Sequence, residues 1–297
     1  MQRKRIGSWM WALFSPLLLS YVISLGVELI VVSIYGTQYM MGLTEVIETQ
    51  EQMYEHVVAI TEGIMPYATQ MGAVAALITI PFLMRMVKKD RVHEQNAGFV
   101  SNKVASAKYY PLLVVMSVAV AVGLNNILLL LNISEYSEAY QQSAELLYTP
   151  SFPVQIVCLG IIYPIMEEYI FRGVIYRRMR VNIPVVSAIS FSAVMFGLYH
   201  GNSVQFIYGA LAGVMLSYFY EKFGSLRAPI LGHMVINIVA VILTEFDIFT
   251  WMFAVPMRMA IITIICAAVG SSMFIMIRNI DEKPEMKVEE MLQNEGE

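Results

Sequence analysis

Eight apolar stretches, at about residues 9–35, 64–84, 109–132, 151–171, 183–200, 203–220, 228–245 and 251–277, leave this chain few ways to fold. A helix that crosses a bilayer needs about 20 predominantly apolar residues. Of the 297 residues, 58% are hydrophobic and 14% charged, and mean hydropathy is +0.62. Ordinary soluble domains carry about 25% charged residues. The pattern predicts an all-α, polytopic membrane protein of about eight transmembrane helices. The first stretch is too long for the apolar region of a signal peptide and has no small-residue cleavage site, so it reads as the first span. Links between the fifth, sixth and seventh stretches are short, which predicts tight antiparallel hairpins.

Lys and Arg placement sets the expected orientation. With the N-terminus cytoplasmic, every Lys and Arg except Arg258 falls on the inner side, including Arg3, Lys4, Arg5, Arg85, Lys88, Lys89, Arg91, Arg177, Arg178 and Arg180. The segments 36–63, 133–150 and 246–250 contain neither residue and carry acids instead. Eight spans then put both termini in the cytoplasm. Residues 85–108 read as a basic cytoplasmic connector. Residues 1–277 read as one membrane domain with a compact core at 151–245, and 278–297 as an acidic, disordered cytoplasmic tail. The net charge of −4 and scattered basic residues argue against a nucleic-acid partner. Cys158 and Cys266 lie in apolar runs and form no disulfide framework or metal motif.

Ionisable residues at membrane depth are functional suspects. They are Glu28, Glu167, Glu168, Arg172, His200, His233 and Arg258, joined by the amides Asn125, Asn126 and Asn237. Glu28 and Arg258 lie near helix ends, where snorkelling accounts for them. Asn125 and Asn126 read as interhelical glue. Glu167 and Glu168 are adjacent in an apolar stretch and repel each other. Arg172 stands at i+4 from Glu168 in the favourable acid-before-base order, so these two pair. Glu167 points about 100° away around the helix and has no partner on it. Burial without a local partner is an environment that makes a carboxylate a general base. The competing reading is a helix-end charge cluster with Arg177, Arg178 and Arg180.

His200 ends Phe196-Gly197-Leu198-Tyr199-His200 on the next, antiparallel stretch. By helical rise, Glu167 and His200 both lie roughly 22–27 Å from the turn near Asn182, so they can meet. His233 and Asn237 share a face at i,i+4. His233 counts only roughly 14 Å from the turn near Gly224, so the site closes only if that turn sits deeper or a helix tilts.

These residues resemble the CPBP family of intramembrane proteases, which includes the type II CAAX prenyl endopeptidases. The family pattern EExxxR, FxxxH, HxxxN appears in order as Glu167-Glu168…Arg172, Phe196…His200 and His233…Asn237, within about 151–245. The resemblance implies an eight-helix fold with a cavity inside the membrane. It implies that Glu167 and His200 activate water for peptide-bond hydrolysis, and that His233 and Asn237 stabilise the oxyanion. Glu168 and Arg172 are then electrostatic support. No Gly-x-Ser-x-Gly elbow or Cys–His pair offers a nucleophile. His-Glu-x-x-His is absent, so no cofactor is expected. Zinc held by Glu167, His200 and His233, with Glu168 a further candidate ligand, is the alternative.

The expected function is therefore an intramembrane endopeptidase acting on a peptide or membrane-protein substrate, in a multi-pass protein of a bacterial cell membrane. The alternative is a catalytically silent scaffold or bacteriocin-immunity protein of the same fold. A proton-coupled transporter is disfavoured by the lack of an internal repeat.

Overall fold

The computed structural model describes residues 2–44, 47–96, 101–130 and 137–281. Most of the tail expected to be disordered, 282–297, lies outside them. Among the described residues there are helices and no strand. The elements are α1 (Gln2–Met41), α2 (Gln50–Ile64), α3 (Ala68–Asn96), α4 (Tyr110–Leu130), α5 (Glu138–Tyr148), α6 (Phe152–Arg180), α7 (Val185–Tyr199), α8 (Ser203–Phe223), α9 (Arg227–Glu245), α10 (Ile248–Phe253) and α11 (Pro256–Arg278).

Seven helical stretches are long and apolar enough to cross a membrane: Leu13–Met41, Gln50–Asn96, Ala107–Leu130, Phe152–Arg180, Ser203–Phe223, Arg227–Glu245 and Pro256–Arg278. The chain is an all-α, multi-pass membrane protein. The stretch expected at 183–200 is the exception. Its helix α7 has 15 residues, about 22 Å, against a hydrocarbon core of about 30 Å. Pro184 precedes the first turn, and Gly201, at φ 77°, ends the helix immediately after His200. Asn202 then caps α8, accepting from Gln205 N at 2.9 Å.

Small residues make the α7–α8 hairpin tight. A Cβ on Gly213 would come within 2.9 Å of Ala193 Cα, and one on Gly197 within 2.6 Å of Phe206 O. Gly209 and Gly213 stand four apart on one face of α8, the spacing that lets membrane helices approach closely.

Helix α6 runs through the middle and packs against α1, α3, α7 and α9, while α4 lies against α9 and α11. Its last turn is tied down by charge. Arg177 Nε bonds Glu94 Oε1 at 3.1 Å, Arg178 pairs with Asp90 at 2.7 Å, and Arg180 pairs with Glu221 at 2.8 Å. These arginines are thus tied to acids of α3 and α8, which removes the reading of Glu167 and Glu168 as part of a helix-end cluster.

The segment expected to be a connector is only partly one. Residues 85–96 continue α3, with Val87 and Glu94 buried. Residues 101–106 lie along the end of α8, where Ala105 N donates to Phe223 O at 3.0 Å. Gly224 turns the chain at φ 59°, and a Cβ there would meet Lys103 O at 2.3 Å, so only glycine fits.

Candidate active site

Helix α6 is not a regular α-helix. Two π-helical stretches, Cys158–Ile162 and Tyr169–Tyr176, flank the six residues Tyr163–Glu168. Wide i→i+5 turns of this kind are frequent at functional sites. In the first, Tyr163 N bonds Cys158 O. The next amide in that pattern would be at Pro164, which has no N–H. Leu159 O therefore lacks a helical partner, and Asn237 Nδ2 on α9 donates to it at 2.8 Å. The second stretch lies between Glu168 and the turn near Asn182. Its shallower spiral brings Glu167 less far from that turn than a straight α count gives. This narrows the mismatch with His233.

Glu168, Arg172 and His233 form a closed polar knot in the apolar interior. Glu168 and Arg172 are both 0% exposed. Glu168 Oε1 accepts from Arg172 Nη1 at 2.7 Å and lies 2.9 Å from His233 Nδ1. The guanidinium also donates from Nη2 to Gly213 O at 2.9 Å and from Nε to Ser217 Oγ at 3.3 Å. Its carbon lies 4.6 Å from the centre of the Phe196 ring, a cation–π contact. The Phe196 ring meets His200 and His233 edge-on, at centroid distances of 4.9 and 5.4 Å.

Glu167 turns away from Arg172 but gains a partner across helices: its Oε2 lies 3.6 Å from His233 Nε2. His233 thus bridges the two carboxylates. Glu168 is already committed to Arg172 as an ionised acceptor, which assigns a proton to His233 Nδ1. The Arg172 guanidinium and the bridging imidazole are the groups that face the two carboxylates in this buried cluster.

Glu167, His200, His233 and Asn237 all line one cavity of about 550 Å³ between the helices, within the usual range for small-ligand sites. Tyr163, Tyr199 and Tyr208 share its wall. His200 Nδ1 lies 2.8 Å from Phe196 O, a bond that fixes the ring. Helix α5 covers one end of the cavity with Tyr140 and Tyr148. Burial pushes both phenols up, so they stay neutral. Thr69 Oγ1 and Gln155 Nε2 hold the end of α5 by its carbonyls, bonding Leu146 O at 3.3 Å and Tyr148 O at 3.1 Å.

Of the other intramembrane polar residues, Asn126 and Arg258 lie apart from this cavity. Asn126 joins α4 to α11 through Thr263 at 3.2 Å, as expected of glue. Asn125 bonds its own helix at Ala121 O, 2.8 Å, and also lines the cavity. Arg258 does not simply snorkel: it lies 3.9 Å from the Trp251 ring centre and donates to Trp251 O at 2.5 Å.

Among the described residues, no three His, Cys, Asp or Glu side chains converge as metal ligands. His233 has a carboxylate at each ring nitrogen. Sequence reasoning gave no role to Phe196 as the platform for Arg172, nor to Ser217 and the Gly213 carbonyl. The glycine pair at 209 and 213 was the available signal that α7 and α8 approach closely enough for such contacts.

Comparison with known proteins places the same region in a family context. The family pattern described as type II CAAX prenyl endopeptidase Rce1-like matches residues 149–239. A Bacillus subtilis (strain 168) protein named "Putative membrane peptidase YdiL" is 28% identical over 91 residues, 31% of this chain and 37% of that protein. The match thus spans a little over a third of that relative. No solved structure matches the chain.

Proposed function

We propose that this chain, whose residues 149–239 carry the Rce1-like pattern, is an intramembrane endopeptidase that hydrolyses a peptide bond with activated water. The observation that carries the reading is the convergence of Glu167, His200, His233 and Asn237 on one cavity, backed by the buried Glu168–Arg172 pair.

In this mechanism a water molecule beside Glu167 attacks the scissile carbonyl carbon. Glu167 takes a proton from it as the new C–O bond forms. His200, fixed by the Phe196 carbonyl, orients the same water from the opposite wall. The negative charge that develops on the carbonyl oxygen is met by N–H donors. One is Nε2–H of His233 in its doubly protonated form, with Nδ1 facing Glu168. Another is the second amide hydrogen of Asn237, whose first is engaged by Leu159 O. Such donors act strongly in a site shielded from bulk water. The C–N bond then breaks, Glu167 returns its proton to the leaving amine, and a carboxylic acid and an amine depart, the acid then losing its proton to solvent. No cofactor takes part.

Cleavage by purified protein in liposomes tests the reading. Glu167→Gln keeps the shape but removes the base, and His200→Ala removes the orienting group. Each should abolish hydrolysis with normal expression and folding, and the double variant should be little worse than either. Asn237→Ala should lose roughly 10²–10³ in rate, the typical cost of one oxyanion donor. Wild-type turnover by Glu167→Gln would remove the endopeptidase mechanism. A cellular phenotype preserved in that variant would instead favour a scaffold.

A further inference from the structure

A second cavity, of about 420 Å³, lies between α1, α2 and α3, and Tyr163 is a wall of both this groove and the catalytic cavity. It is lined mainly by apolar side chains, among them Ile64 and Met71, but also contains Ser24, Thr61 and Glu28. Glu28 is exposed and makes no ion pair or hydrogen bond with any described residue. It sits in a helical stretch long and apolar enough to span the membrane. A carboxylate in that setting is costly without a cation.

Its position on α1 is not isolated. Ser20, Ser24 and Glu28 recur every four residues, so they form a polar stripe on one face of an otherwise apolar helix. At one end of the stripe the buried Ser20 donates to Met166 Sδ at 3.6 Å, next to Glu167 in sequence. At the other end is Glu28. The stripe therefore leads along the groove toward the catalytic helix. The boundary at Tyr163 is close-packed: its hydroxyl donates to Thr69 O at 3.0 Å and fills the space where a Cβ on Gly72 would lie.

From the unpaired carboxylate and this stripe we infer that the groove binds the membrane-embedded part of the substrate, through a Lys or Arg side chain that pairs with Glu28. The inference rests on the endopeptidase reading and adds a substrate class to it: apolar peptide segments carrying one basic residue. A Lys or Arg stem suits the site, since its methylenes pack on apolar walls while the charge reaches the acid. The spacing follows from chain geometry. Glu28 lies two four-residue steps from Ser20, roughly 12 Å along the helix. An extended peptide advances about 3.3 Å per residue. The basic residue then stands at least about four residues from the scissile bond, which lies beyond Ser20 toward Glu167.

The test uses full-length protein in nanodiscs and synthetic apolar peptides that differ at one position: Lys, norleucine or Glu. Binding is measured by fluorescence on the Glu167→Gln background, and cleavage on the wild-type background. Lys peptide should bind up to about fivefold more tightly than norleucine peptide, the upper end for one exposed charge pair. Glu28→Gln should bring the ratio close to one, and Glu28→Lys should transfer the preference to the Glu peptide. Moving Lys along the peptide should give a single optimum, no nearer the cut than that spacing. A Lys-to-norleucine ratio unchanged by Glu28→Gln overturns the inference. So does a Glu28 dependence that disappears when phosphatidylethanolamine is left out, which would make a lipid amine the occupant. Because binding is read without turnover, selective binding in the absence of any cleavage would overturn the endopeptidase reading alone.

Discussion

Arg172 makes contacts that no other side chain can reproduce: a carboxylate, a carbonyl, a hydroxyl and an aromatic face, all with 0% exposure. Removing it leaves Glu168 buried with only His233 beside it. Arg172→Ala should therefore cost about 3–5 kcal/mol, the usual penalty for an orphaned buried charge. Arg172→Lys should cost less, since it retains the charge while losing the planar fork. Adding Glu168→Gln to Arg172→Ala should recover part of the loss. Thermal unfolding in detergent measures all three, and simple additivity would mean that the two residues do not interact. The Glu168–Arg172 pairing was legible in the sequence, because i,i+4 spacing on a helix is local. The link from Glu168 to His233 was not, because 65 residues separate them and their meeting depends on the relative tilt and depth of α6 and α9. The same applies to Glu167, which lacks a partner on its own helix but has one on a neighbour.

At the scale of elements, the π turns and glycine contacts set the site geometry. Apolar periodicity identified the helices but could not show that α6 widens twice, since a π turn leaves the composition of a helix unchanged. Pro164 was the visible trace, through the amide it lacks. The α7–α8 contact was equally compressed into a few small residues. Gly213→Leu should force the helices apart at Ala193 and displace the carbonyl that holds Arg172. It should lower both stability and turnover, whereas Leu at the outward-facing position 194, replacing Val194, which is 45% exposed, should do neither. Expression level and cleavage rate of the two variants, measured side by side, separate a packing effect from general intolerance of a larger residue in the hairpin. Equal effects at both positions would show that the close approach at Gly213 is unimportant.

For the whole molecule, the distribution of Lys and Arg gives an orientation that cysteine labelling can check. In a background lacking Cys158 and Cys266, Tyr54→Cys on α2 should react with an impermeant reagent on intact cells. Val92→Cys, near the end of α3, should react only after permeabilisation. Both native side chains are exposed, at 70% and 53%, so access is not the limiting factor; the reverse pattern would invert the topology. The seven long apolar stretches were legible from the apolar runs, but the inadequate length of α7 was not. Its apolar run continues through the turn into α8, and only the backbone at Gly201 shows where the helix stops. That short helix has a consequence for the surrounding lipid. Val186, Val194 and Leu198 on α7 are exposed, so the protein offers the bilayer an apolar flank several ångström shorter than the hydrocarbon is thick. Thinning of the lipid beside α7 is one way to accommodate such a short flank. Thinning there would shorten the path for water from the interface to the cavity on the side where His200 closes the hairpin. Turnover should accordingly be higher in dimyristoyl than in dieicosenoyl phosphatidylcholine liposomes at equal protein density, and a rate indifferent to acyl length would mean that water reaches the site by another route.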